Sequence, residues 1–227
     1  MATLYIVATP IGNLEDITYR AVRVLGEVDL ILCEDTRVTK RLLDKYGIKT
    51  PLESYHAHTS EGKHQYILDV ILGKKDVALV SDAGTPTISD PGVKIIDLVR
   101  NNPELEVEVV VVPGASAVTS ALSVSGIPSS EFLFLGFIPH KKGRKKLFQE
   151  IAENKRTVAF YESPHRILKT LKSLEEVLDE NREVVIAREL TKIHEQTIRG
   201  SASEINKYFE SHPDKVKGEF VVIVSGK

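Results

Sequence analysis

Apolar and polar residues along this chain fall into short blocks that separate strands from helices. Residues 3–8 (Thr-Leu-Tyr-Ile-Val-Ala) are a β-branched and aromatic run that reads as a buried strand, stopping at the turn-forming Thr9-Pro10-Ile11-Gly12-Asn13. Thr18 is placed to cap a helix with Ala21, Val22 and Leu25 on one face, and Thr36 to cap another with Leu42 and Leu43 inward. Between them, residues 29–33 form an apolar run ending in Glu34-Asp35-Thr36-Arg37. A weaker strand at 52–55 leads to His56, a helix spans about 62–72, and residues 76–80 make a central strand. Pro91-Gly92 opens a helix marked by Val93, Ile95, Ile96 and Val99, and residues 107–112 are a fifth strand. Strand and helix in alternation is the pattern of a mostly parallel sheet covered on both faces.

The second half has a different texture. Phe132-Leu133-Phe134-Leu135-Gly136-Phe137 is an aromatic-rich strand. Residues 157–161 and 183–188 predict two more strands, with a helix between them carrying Ile167, Leu168, Leu171, Leu174 and Leu178. Residues 195–199 suit a hairpin strand, Ser201 and Glu204 have capping-box spacing, and residues 219–225 close the chain as a strand. Ser116 is a good N-cap for the helix that joins the halves, so the expected domains are 1–114 and 115–227.

Each strand of the first half ends in small or polar residues: Thr9-Pro10, Glu34-Asp35, His56, Ser81-Asp82 and Pro113-Gly114. In a parallel sheet these ends share one edge, where ligands bind. The central segment, Ser81-Asp82-Ala83-Gly84-Thr85-Pro86, offers a carboxylate, free backbone groups and little side-chain bulk, which suits a small polar ligand; an ordinary turn uses the same residues. At Glu34-Asp35-Thr36-Arg37 a carboxylate could take a proton from a hydroxyl nucleophile, or the segment could be a helix cap with a surface ion pair.

Composition narrows the class. The 227 residues suffice for one large or two small domains, and 42% hydrophobic with 27% charged residues fits a globular protein. A net charge of −2 gives no overall pull on nucleic acid, so an RNA site needs a local patch. Pro139-His140-Lys141-Lys142-Gly143-Arg144-Lys145-Lys146 supplies one, with five basic residues in eight; a solvated loop and helix start is the competing reading. His140 and His165 lie beside basic residues and suit phosphate contacts. A single cysteine, Cys33, excludes an intrachain disulfide and a cysteine metal cluster, and His56 and His58 would point to opposite faces of an extended segment, so no metal site is expected. A cytoplasmic location is expected: the N-terminus lacks the basic flank of a signal peptide, and no apolar run is long enough to span a membrane. Neither a dinucleotide-binding glycine fingerprint nor a P-loop is present.

Eight segments, taken together and in order, resemble the tetrapyrrole methylase superfamily, and more closely its branch that methylates a ribose 2′-hydroxyl of a cytidine in 16S, the small-subunit ribosomal RNA. They are residues 7–14 (Val-Ala-Thr-Pro-Ile-Gly-Asn-Leu), 34–37, Ser54-Tyr55-His56, 81–92, 113–117, 161–166 (Tyr-Glu-Ser-Pro-His-Arg), 188–192 (Arg-Glu-Leu-Thr-Lys) and 217–219. The resemblance implies two α/β domains of the tetrapyrrole methylase type with the cofactor cleft between them, S-adenosylmethionine as cofactor, and a homodimer acting on small-subunit RNA or the 30S subunit. It implies cofactor contacts from Pro10, Asp82, Ala83, Gly84, Thr85, Ser116, Ala117, Tyr161, Arg188 and Gly218. For proton removal the candidates are Asp35 and Glu34, with Arg37 orienting or holding a phosphate and Glu162 and His165 in reserve; for RNA they are Lys141, Lys142, Arg144, Lys145, Lys146, His165 and Arg166. The chain departs from the pattern at Thr59-Ser60, where Asn-Glu is expected, and at residues 193–196, where two adjacent acids are. Two other functions fit part of the chain: a tetrapyrrole C-methyltransferase, which has no need of the basic run, and a non-catalytic RNA-binding assembly factor, which has no need of the small residues at 82–85.

Overall fold

A computed structural model describes residues 2–56 and 59–227, and the chain divides into two compact units, Met1–Ser116 and Ala117–Lys227. His58 lies outside the described residues.

The first unit contains five parallel strands in the order β3-β2-β4-β1-β5: β1 (Ala2–Val7), β2 (Leu30–Cys33), β3 (Leu52–Ser54), β4 (Val77–Leu79) and β5 (Val107–Val112). The crossovers are α1 (Tyr19–Glu27), α2 (Thr36–Lys45), α3 (Glu61–Leu72) and α4 (Val93–Arg100). Alternate residues of each strand face opposite layers. Leu4, Leu30, Leu32, Val77 and Leu79 pack with Ile67, Ile71, Ile95 and Val99 of α3 and α4. Val7, Ile31, Cys33, Ala78 and Val80 pack with Ala21, Val24, Leu25 and Leu43 of α1 and α2. The chain therefore leaves β1 and β2 toward one face and β4, which lies between them, toward the other. Such a reversal opens a crevice at the carboxyl ends of those three strands.

Local chemistry explains most boundaries and a few departures from expectation. Thr18 caps α1 by accepting the Ala21 amide. Asp35, rather than Thr36, caps α2, its carboxylate accepting the Arg37 amide, which makes Thr36 the first helical residue. On α1 the buried residue is Val24 rather than Val22, and on α4 Val93 stands exposed at the first position.

The second unit is a mixed sheet, β6-β7-β10-β8-β9, built from β6 (Phe132–Phe137), β7 (Thr157–Glu162), β8 (Val184–Arg188), β9 (Gln196–Gly200) and β10 (Phe220–Val224). β6 and β7 run parallel; β10 is antiparallel to both β7 and β8, and β9 is antiparallel to β8. Its core joins Phe160, Ile186, Phe220 and Val222 to Phe148 and Ile151 of α6 (Arg144–Glu153), to Ile167, Leu171 and Leu174 of α7 (Ile167–Glu175), and to Ile205 and Phe209 of α8 (Ala202–Ser211). Leu178 lies beyond the end of α7 and is half-buried. α5 (Ala117–Ser125) packs against β7, β8, β9 and β10. Ser201 and Glu204 make both bonds of the capping box of α8.

Candidate active site

The loops after β1, β2 and β4 are tied into one surface. Thr9 N–H donates to Gly84 O (2.9 Å) and Gly84 N–H returns to Thr9 O (3.0 Å), while Thr9 Oγ1 donates to Ser81 O (3.0 Å). Thr85 Oγ1 donates to Ala115 O at 3.2 Å, which brings in the loop after β5. Gly84 holds φ at +82°, where a β-carbon is strained. Pro10 is buried beneath this surface, and Asp82 and Ala83 are exposed on it.

The loop after β2 joins through Asp82, whose carboxylate accepts the Asp35 amide (3.0 Å) while its own amide serves the Glu34 carboxylate. Burial, then the nearby Asp90 and Asp82 carboxylates, push Glu34 up to about 7. Burial and Asp82 push Asp90 up to about 6. Asp35 goes the other way. It chelates the Arg37 guanidinium (2.6 Å from Nη2 to Oδ2) and accepts the Arg37 amide, which hold it down at about 2. One strand end thus carries a carboxylate that can exchange a proton near neutrality beside one locked in its ionised form. The sequence named both; in the structure Asp35 caps α2 and clamps Arg37, while Glu34 is the one raised toward neutrality. Asp90 was not singled out by sequence, since nothing local distinguishes it from a turn aspartate.

The strand ends of the second unit are held just as closely. Arg188 is buried and donates from Nε to Lys217 O (2.7 Å) and from Nη1 to His194 O (3.1 Å). Gly218 holds φ at +87°, where a side chain is strained, and an added β-carbon would also displace the Glu189 side chain. Lys192 Nζ bridges Glu189 (3.0 Å) and Glu219 (2.9 Å). At the end of β7, Tyr161 is half-buried and Glu162 has a fully buried side chain.

Residues 3–206 match the family described as Tetrapyrrole (Corrin/Porphyrin) Methylases. The chain belongs to the tetrapyrrole methylase family. Within it, the chain is 48% identical to a Thermotoga maritima protein named ribosomal RNA small subunit methyltransferase I, over the full length of both. It is 45% identical to the Bacillus subtilis protein of that name, over 100% of this chain and 76% of the relative. Among solved structures, a cobalt precorrin-4 methyltransferase superposes with a TM-score of 0.72 at 19% identity, over 98% of this chain and 94% of the other. A uroporphyrin-III C-methyltransferase from Thermus thermophilus gives 0.66 at 17%, over 98% and 94%. At those identities the two structures establish the shared methylase fold.

The methylase's basic run proves to be two different things. Lys141, Lys142, Lys145 and Lys146 are exposed, as are His140 and His165. Arg144 is buried at 7% exposure, so the expectation that it faces RNA is corrected. Its Nη2 donates to Thr170 Oγ1 (2.7 Å), and Glu162 lies 3.8 Å from Nη1. Arg166 is likewise turned inward, pairing with Glu162 (2.8 Å) and donating to Ile138 O (2.7 Å). One buried carboxylate decides both arginines. For Arg144 it comes from a different element, β7, and no local pattern announces it. Ser116 and Ala117 fall at the unit boundary, at the start of α5. No group of residues that could hold a metal ion occurs among the described residues, and no described helix is long and apolar enough to cross a membrane.

Proposed function

We propose that this chain transfers the methyl group of S-adenosylmethionine to the 2′-oxygen of a cytidine ribose in 16S ribosomal RNA, working as a homodimer in the cytoplasm. The observation that carries the reading is the 48% identity, over full length, to a ribosomal RNA small subunit methyltransferase I. The chemistry of the crevice fits the cofactor. These loops offer small residues and backbone groups, with the Glu34, Asp82 and Asp90 carboxylates close by, which suit a ligand with an ammonium and a sulfonium. Pro10, Asp82, Ala83, Gly84, Thr85 and Ser116 are the residues that would hold it.

S-adenosylmethionine supplies an activated, cationic methyl group. The protein then has two tasks: to orient the acceptor hydroxyl, which can be worth about 7–11 kcal/mol of barrier in favourable cases, and to remove its proton. Glu34 serves the second, because its carboxyl changes protonation state near neutral pH. Arg37, exposed and held by Asp35, offers a guanidinium to a phosphate of the acceptor strand.

The test is methyl transfer from labelled S-adenosylmethionine to small ribosomal subunits lacking the modification, with the labelled nucleotide mapped by digestion. Label on a single cytidine 2′-oxygen is the expected result. Cofactor binding with no label on RNA would overturn the reading in favour of a small tetrapyrrole acceptor.

A further inference from the structure

Phe137 is an aromatic side chain that the core does not use. It ends β6, an edge strand of the second sheet, and is 58% exposed. The β6–β7 register shifts between Phe134 and Phe137, and Gly136 takes φ of +61° there. A bulge of this kind re-aims the side chain that follows it. The Phe137 and Tyr161 rings meet at a steep angle with centroids 5.3 Å apart, and Phe134 packs on the same Tyr161 ring at 4.9 Å. Phe137 is thus held against Tyr161 while more than half of it stays exposed.

The chain runs directly from this ring into the basic loop. Ile138 is buried and its carbonyl accepts from Arg166; at the far end Arg144 is buried against Thr170 and Glu162. Two anchors therefore present Lys141 and Lys142 between them and Lys145 just beyond, all exposed. We propose that Phe137 is a stacking platform for a base of unpaired RNA, whose phosphates engage Lys141, Lys142 and Lys145. The inference rests on the RNA methyltransferase reading and adds the form of the substrate. A duplex hides its base faces, whereas a splayed single strand offers a base to an aromatic ring and phosphates to adjacent lysines. A second copy of the chain fits less well, because a two-fold contact here would set one cationic loop against another.

The experiment measures binding of a labelled unpaired oligoribonucleotide and of an RNA hairpin stem across a salt series, beside methyl transfer to small subunits. Phe137→Ala should weaken the unpaired strand roughly 10-fold or more. Its salt slope and melting temperature should stay unchanged, stem binding should be unaffected, and Phe137→Trp should restore affinity. Lys141→Gln should instead lower the salt slope by about 0.7. Equal affinity of Phe137→Ala and wild type overturns the platform, as does an affinity loss that tracks loss of a dimer by sedimentation, which would assign the face to a second copy. The two readings fail separately. Wild type that methylates subunits with Phe137→Ala unimpaired sinks the platform alone. Wild type that transfers no methyl to RNA sinks the methyltransferase reading, and the oligonucleotide data then decide the platform by themselves.

Discussion

Glu34 and Asp35 are adjacent carboxylates on the same loop, and their environments drive them apart. Burial, Asp90 and Asp82 raise Glu34 to about 7, while the Arg37 guanidinium and amide hold Asp35 at about 2. A general base must be ionised to act, so turnover should rise with pH through about 7 and then level off. Glu34→Gln should cut turnover roughly 100-fold or more and abolish that limb, whereas Asp35→Asn, which still caps α2, should keep it. Asp90→Asn removes a repulsive neighbour and should move the limb to lower pH; a pH–rate series on the three variants checks all of this. Stability follows with the opposite sense. Because the folded pKa lies above the ordinary 4.5, the folded chain binds more protons between about 4.5 and 7, and Glu34's contribution to stability falls as pH rises across that window. Urea midpoints measured on either side of the window should differ less in Glu34→Gln than in wild type. The sequence made the pair visible as a strand-end acid cluster. It could not say which member is raised toward neutrality, since that depends on burial and on Asp90 and Asp82, far along the chain and in reach only once β2 and β4 pair.

At the scale of elements, the basic loop stands on a buried ion network. Glu162, with a fully buried side chain, takes Arg166 at 2.8 Å and the Thr170 hydroxyl at 2.6 Å, and Arg144 completes the group. Removing the carboxylate leaves two guanidiniums without their charge partner in a poorly solvated place. Glu162→Gln should therefore destabilise the chain by about 3–5 kcal/mol, read from urea unfolding. Ser201→Ala, which removes one half of the α8 capping box, should cost only about 1 kcal/mol. The contrast shows what was legible. A capping box joins residues three apart, so its spacing alone located the start of α8. The parallel sheet of the first unit was legible too, because alternating strand and helix leaves few ways to pair. The second sheet was not: β10 inserts between β7 and β8 from the end of the chain, a pairing that no local periodicity encodes. Arg144 was misread for the same reason, since a run of basic residues looks solvated until its distant carboxylate is placed.

Over the whole molecule the net charge is −2, so long-range attraction to RNA has to come from an uneven distribution of charge. Lys141, Lys142, Lys145 and Lys146 lie exposed within one short run, and the acid facing Lys146, Glu150 at 3.6 Å, sits on an open helix face where such a pairing has little strength. Four such charges can displace counterions from a phosphate backbone, and the attraction then weakens steeply with salt. All four side chains stand in solvent, so their role in binding separates from any role in folding. Replacing all four with glutamine should raise the KM for small subunits and flatten the salt dependence of RNA binding by about 0.7 for each phosphate no longer neutralised. It should leave cofactor affinity and the melting temperature where they were. Arg144→Gln should do the reverse, lowering the melting temperature by unbalancing the Glu162 network, with its effect on RNA following from the loosened loop. If the four lysine replacements change neither KM nor salt slope, the RNA is drawn in by another surface, and the arginines at the strand-end edge of the first unit, Arg37 foremost, become the ones to neutralise next.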